Sequence, residues 1–325
     1  MAAFRMTYRR ALIVTAVLYT TACGGGGDKS SPTVATPNFQ PTPTASPYGV
    51  CAVTSASSTQ PPSLTVQVIP EGDPLYGYYY ECVKVFGVSH LAIESFPDEK
   101  LVHVATITAE YLDNNADGIP DDLASNASLE RTHAVMILTN NAAERDAIHR
   151  LSAQQQDPQP LDYITAIQGQ YTDETNAGGT LCGPPCGRQT DASLEEVLHL
   201  LQNAGYAMAH PNLDPNRTSL LTEAMDIARG GHFNTVPTTY PPSAWYHYTD
   251  VTCEYRCQAT EYFYWGLTTL LGAQGDLHPA RCQDIEQEWE PCTKAGLQAT
   301  DTMLYALLTN SAYNLPTRLP DGQYR

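Results

Sequence analysis

Basic side chains are scarce in this chain: 17 Lys and Arg stand against 35 Asp and Glu, for a net charge of −18. So acidic a surface repels phosphate backbones and anionic headgroups, which excludes nucleic acid and direct adsorption on acidic lipid. Apolar runs of membrane-spanning length are also missing. Ala11-Leu12-Ile13-Val14-Thr15-Ala16-Val17-Leu18 is too short to cross a bilayer. No internal repeat recurs along the 325 residues, which argues against a solenoid or propeller. Phe is rare, with 6 residues, while Tyr is abundant, with 20; rings with a polar tip suit both packing and contacts to peptide or sugar.

What is present at the N-terminus is a leader. Arg5, Arg9 and Arg10 form a positive segment before the apolar run, the pattern of a signal peptide over residues 1–22. Thr20-Thr21-Ala22-Cys23 resembles the lipobox of bacterial lipoproteins, departing from it at Thr20, where that family prefers Leu. The resemblance implies an acylated Cys23, an exported protein tied to the cell envelope through a lipid anchor, and, with Gly24 after the Cys, an outer-membrane location. Residues 23–50 are rich in Gly, Ser, Thr and Pro and read as a flexible tether. Of the nine Cys, eight remain once Cys23 is set aside. They fall in local couples: Cys51 with Cys82, Cys182 with Cys186, Cys253 with Cys257, and Cys282 with Cys292. Close couples also suit zinc, but an oxidising compartment favours disulfides.

From residue 51 to 325 no second linker interrupts the sequence, so this stretch reads as a single domain. Ser63–Ile69 alternates as a strand does, and Tyr78–Val88 is aromatic and β-branched, a second strand. Pro97-Asp98 starts a helix with Leu101, Val104, Ala105, Thr108 and Leu112 on one face. Ala134–Leu138 reads as a buried strand, Asn141–Leu151 as a helix and Tyr163–Ile167 as an edge strand. Helices follow from Asp191 or Ser193 to about Gly205, from Ser219 to Arg229, from Gln258 to Leu271, and one or two between Asp284 and Leu308. This order predicts an α+β fold: a small mixed sheet with a mainly helical C-terminal half.

The helix from Ser193 carries Glu195-Glu196-Val197-Leu198-His199. Glu195 and His199, four apart, share a face and can grip one cation, with Glu196 beside them. The segment resembles the His-Glu-x-x-His zinc helix of zincin metallopeptidases, with Glu in place of the first His. The resemblance implies a zincin-like α+β domain, zinc as cofactor, Glu196 as the base that activates the metal-bound water, and a peptide or protein substrate. In the gluzincin subclass the third ligand is a Glu on a following helix; Glu223 takes that place, and Asp226, one turn on, would steady His199 from behind. His210, His232 and His247 are alternative ligands. In Ala244-Trp245-Tyr246-His247-Tyr248, Tyr246 or His247 would steady a developing oxyanion. A rival reading takes Glu196-x-x-His199 as half of a ferritin-like di-iron site, which needs a second such motif.

Asp113-Asn114-Asn115-Ala116-Asp117-Gly118-Ile119-Pro120-Asp121 resembles a shortened calcium loop, with Asp113, Asn115, Asp117 and Asp121 as ligands. An Asx-turn loop uses the same residues. Two function classes result: a tethered, exported zinc metallopeptidase, and a non-catalytic, calcium-stabilised surface protein of binding or structural type.

Overall fold

The computed structural model describes residue 51 and residues 62–153, 164–183, 187 and 189–325. Residues 1–50, where the sequence led us to expect a signal peptide and a tether with Cys23, and Cys186 lie outside them. The short strand β1 (Gln67–Val68) pairs antiparallel with β2 (Glu81–Val85), and β2 pairs antiparallel with β3 (Val88–Ala92). The stretch expected as one strand from Tyr78 to Val88 is therefore a hairpin. Phe86 adopts φ 47°, and Gly87 sits where a Cβ would lie 2.7 Å from the Asn126 carbonyl oxygen and 2.8 Å from Leu129 Cβ. A two-residue turn with positive φ reverses the chain there, and only glycine fits beneath the helix it touches.

After β3 the chain runs through α1 (Asp98–Leu112) and α2 (Leu123–Arg131), then returns as β4 (Ala134–Thr139), parallel to β3. In α1 the predicted apolar face is buried, and Asp98 and Glu99 occupy the first turn, where negative charge suits the helix dipole. Helix α2 was not expected from the sequence. Its large apolar residues are Leu123, 57% exposed, and Leu129, fully buried, so there is little periodicity to read. What starts it is Asp122, whose side chain caps the Ala124 N–H. A second crossover, α3 (Ala142–Ala153), leads to β5 (Ala166–Tyr171), parallel to β4 at the end of the order β1-β2-β3-β4-β5.

Alternation along the strands builds two cores. Val83, Val85, Val88, Met136 and Leu138 face the helical layer, while Cys82, Leu91, Val135 and Ile137 face the other side with Cys51, Tyr79 and Ile148. With both faces covered, every residue of β4 is buried. The helical layer continues with α4 (Ser193–Leu200), a π-helical stretch at Leu201–Tyr206, and α5 (Ala207–Ala209). It is completed by α6 (Leu220–Ala228), α7 (Tyr255–Leu270), α8 (Pro279–Ile285), α9 (Lys294–Thr300) and α10 (Thr302–Leu308). The fold is α+β, with a five-stranded mixed sheet and a helical C-terminal half, which excludes the ferritin-like bundle.

Disulfides join Cys51 to Cys82, Cys253 to Cys257, and Cys282 to Cys292, the couples expected from the sequence. Cys182 is also disulfide-bonded. Part of the tyrosine surplus goes to packing: Tyr79, Tyr111, Tyr206, Tyr246, Tyr262 and Tyr264 are all at most 2% exposed.

Candidate metal centre

The helix α4 lies between α1, the edge strand β5 and α7. Its buried side carries Leu194, Val197, Leu198 and Leu201, which lock it into the larger core. The same burial carries Glu195 and His199 inward, 3% and 1% exposed. Facing them from α7 is Glu261, 1% exposed, in a helix buried along nearly its whole length. One ligand atom from each of Glu195, His199 and Glu261 lies within 4.8 Å of the other two, the only such group of three among the described residues.

The imidazole sits between two carboxylates. His199 Nε2 is 3.5 Å from a Glu261 oxygen, and Nδ1 is 3.7 Å from Glu196 Oε2. Neither contact has hydrogen-bond geometry, so both buried ring nitrogens lack a hydrogen-bond partner among the described residues. Tyr264 packs edge-on against the ring at 5.7 Å between centroids. Burial alone would push the His199 pKa down; the Glu261 and Glu196 charges outweigh it and lift the pKa to about 10. Glu196, with its side chain 13% exposed, is the member nearest solvent, and the Gln168 amide on β5 donates to its Oε2. Burial and the neighbouring Glu196 charge raise Glu174, just after β5, to about 8. Acidic side chains thus crowd this end of α4, and burial together with the crowding keeps Glu174 protonated at neutral pH.

The donor set fits a divalent transition ion. Carboxylate oxygen and imidazole nitrogen are both accepted ligands of zinc, manganese and iron. An imidazole with two unused buried nitrogens beside carboxylates is an arrangement that a bound cation would satisfy.

Glu195 and His199 thus come together as the sequence indicated, but the third member of the group is Glu261, not Glu223. Glu223 is exposed on α6, whose buried face is Leu221, Ala224, Met225 and Ala228. Asp226 accepts from Tyr255 Oη at 3.0 Å and pairs with His232 Nδ1 at 2.8 Å, and so does not back His199. His210 pairs with Asp122 at 2.6 Å. Tyr246 is buried among aromatic rings, its hydroxyl donating to the Gln258 carbonyl at 2.7 Å, which leaves it no proton to offer an oxyanion. His247 packs its ring against Tyr240 and stands outside the cluster.

In the Asp113–Asp121 loop the expected calcium ligands serve the chain itself. Asp113 accepts the N–H groups of Asp117 at 3.0 Å and Gly118 at 2.7 Å, together with the Tyr324 hydroxyl. Asn115 accepts from Asp117 N at 2.8 Å, Asp117 from Ile119 N at 2.9 Å, and Asp121 from Asn114 N at 2.7 Å. The Asn115 and Asp117 bonds are Asx turns, and among the described residues the three aspartates do not form a converging group.

Sequence reasoning missed Glu261 and Gln168. Glu261 carried a signal: it is the one acidic residue in Gln258-Ala259-Thr260-Glu261-Tyr262-Phe263-Tyr264-Trp265, and a charge in so apolar a helix needs a partner. Gln168 carried none. Comparison of the chain with family models, with curated proteins and with solved structures found no match.

Proposed function

We propose that this protein binds a divalent transition cation, zinc in the first instance, through Glu195, His199 and Glu261, and that it is a degenerate relative of the zinc metallopeptidases. The observation that carries the reading is His199: a buried imidazole with no hydrogen bond on either nitrogen among the described residues, facing two carboxylates. Zinc in such a site lowers the pKa of a bound water and polarises a carbonyl. Glu196, which borders the cluster with its side chain 13% exposed, would take the proton of that water. The Gln168 amide fixes one of its oxygens and leaves the other for this task. The export and lipid-anchor reading of residues 1–50 belongs to the same proposal and is supported by disulfides that persist in oxidising compartments.

A second reading, cation binding without hydrolysis, is favoured by one observation: all three donors are 1–3% exposed, as in closed structural sites. Protein purified without chelator is to be assayed for metal content and for hydrolysis of a peptide library. One equivalent of transition metal, lost in His199→Ala, is the expected result, and its absence at neutral pH ends the proposal. Turnover abolished by Glu196→Gln with metal retained selects the peptidase; metal without turnover selects the closed site.

A further inference from the structure

We infer that Asp191 is the positioning residue of this centre, holding the first turn of α4 so that Glu195, Glu196 and His199 meet Glu261. The inference rests on the metal-binding reading above. Asp191 lies two residues before α4 and is 3% exposed, a buried carboxylate outside the cluster itself. Four donors converge on it. Its Oδ1 accepts from Ser193 Oγ at 2.7 Å, Ser193 N at 3.2 Å and Asn176 N at 3.3 Å. Its Oδ2 accepts from the ring of His103, on α1, at 2.8 Å.

The network extends further through the same turn. Ser193 Oγ accepts from the Gln170 amide of β5 at 2.8 Å, and the Tyr111 hydroxyl of α1 donates to the Leu194 carbonyl at 2.8 Å. One carboxylate therefore links α1 and the segment after β5 to the start of the ligand helix, and β5 joins through Ser193. The chain is shaped to reach it: a Cβ on Gly179 would lie 2.8 Å from Asp191 Cβ.

The downstream end of α4 is tied separately, through Asn203, which donates to the His199 carbonyl at 2.9 Å and accepts from Arg256 and Thr260 of α7, each at 3.3 Å. It passes at once into the π-helical stretch Leu201–Tyr206, where the hydrogen-bond register changes. The first turn, which carries Glu195 and Glu196, is fixed from the upstream end. Glu195 is four residues from Asp191 and His199 a further turn on, so a slide or rotation of the first turn moves both donors together relative to α7. Metal sites are sensitive to such support, and loss of a partner outside the ligand set commonly costs 10–100-fold in affinity.

The test uses the full chain, with zinc affinity read by competition against a chromophoric chelator and coordination read from the visible spectrum of the Co²⁺-loaded protein. Asp191→Ala is expected to weaken zinc binding by at least about tenfold and to change the Co²⁺ band intensities. Asp191→Asn, which keeps an acceptor for Ser193, is expected to recover part of the loss. Should Asp191→Ala fail to fold, Asp191→Asn and His103→Phe carry the test. Thr293→Ala, which removes the side-chain cap of the distant helix α9, is the control for a general loss of stability and should leave affinity and spectrum unchanged. Native affinity and spectrum in a destabilised Asp191→Ala would show a helix cap and nothing more, overturning this inference while leaving the metal centre standing. If the native protein takes up neither ion, the centre and the inference fall together.

Discussion

Replacing Glu261 by Gln separates a cation site from a buried ion pair. In the native protein His199 is 1% exposed and lies 3.5 Å from the Glu261 carboxylate. Removing that charge from a buried pair costs roughly 3–5 kcal/mol in the metal-free protein, because the imidazolium is left less compensated. In a domain of this size about 1 kcal/mol moves the melting temperature by about 2–4 °C, so the metal-free variant should melt about 6–20 °C lower. That drop follows whether or not a metal binds, and cannot decide the matter. The metal increment does. An ion held at 100 times its Kd adds about 2.7 kcal/mol, which raises the native melting temperature by about 5–11 °C. In Glu261→Gln one of three protein ligands loses its charge, and the increment should vanish. The assay is calorimetry of both proteins with chelator and with zinc. A native protein indifferent to zinc, or a variant that keeps the full increment, would refute the reasoning.

Two further perturbations probe the scaffold. His90 is fully buried on β3, its ring between the Thr108 hydroxyl at 2.8 Å and the Val83 carbonyl at 3.3 Å, and burial lowers its pKa to about 4. The unfolded chain protonates this ring near pH 6.5 and the folded one near 4, so its contribution to stability is intact above 6.5 and lost as pH falls between them, by about 2 kcal/mol at pH 5. Urea unfolding at pH 7.5 and pH 5 should show that loss in the native protein and a smaller one in His90→Gln; equal losses would contradict it. Asn114 ties the end of α1 to the C-terminal segment: Nδ2 donates to the Glu110 and Arg318 carbonyls and Oδ1 accepts the Thr317 and Arg318 N–H groups, each at 2.9 Å. Asn114→Ala strands those groups at a cost of about 2–4 kcal/mol, and hydrogen exchange should show the amides of residues 317–324 losing protection ahead of the sheet; unchanged protection would count against the clamp.

Local signals were legible in the sequence where local physics decides the outcome. Asp98 to Leu112 forms a helix because its apolar residues recur at helical spacing, and Ser219 starts α6 because its hydroxyl caps the Thr222 N–H at 3.2 Å. The Cys couples closed because each joins segments near in sequence, 4, 10 and 31 residues apart. The hairpin at Phe86-Gly87 was hidden because its turn lacks the Asn-Gly or Asp-Gly signal, and the apolar run continues through it. Helix α2 was hidden because Leu129, against Gly205 of the π-helical stretch, is its one buried large apolar residue, the rest of its buried face being Ser125, Asn126 and Ser128.

The site divides along the same line. Glu195 and His199 could be read together because the helix repeat places residues four apart on one face. Glu261 lies 62 residues beyond His199, and no spacing rule reaches across that distance. Burial does. The face of α6 that packs is Leu221, Ala224, Met225 and Ala228, which turns Glu223 to solvent whatever the fold around it. By contrast α7 is apolar or aromatic around most of its circumference, so Glu261 has no solvent-facing side to occupy and must meet a compensating group inside. The buried compensating group that the sequence offered was His199, on the other helix with a buried acid. A search for ligands by burial, taking the acid that cannot escape rather than the one at the expected interval, selects Glu261 over Glu223 from the sequence alone.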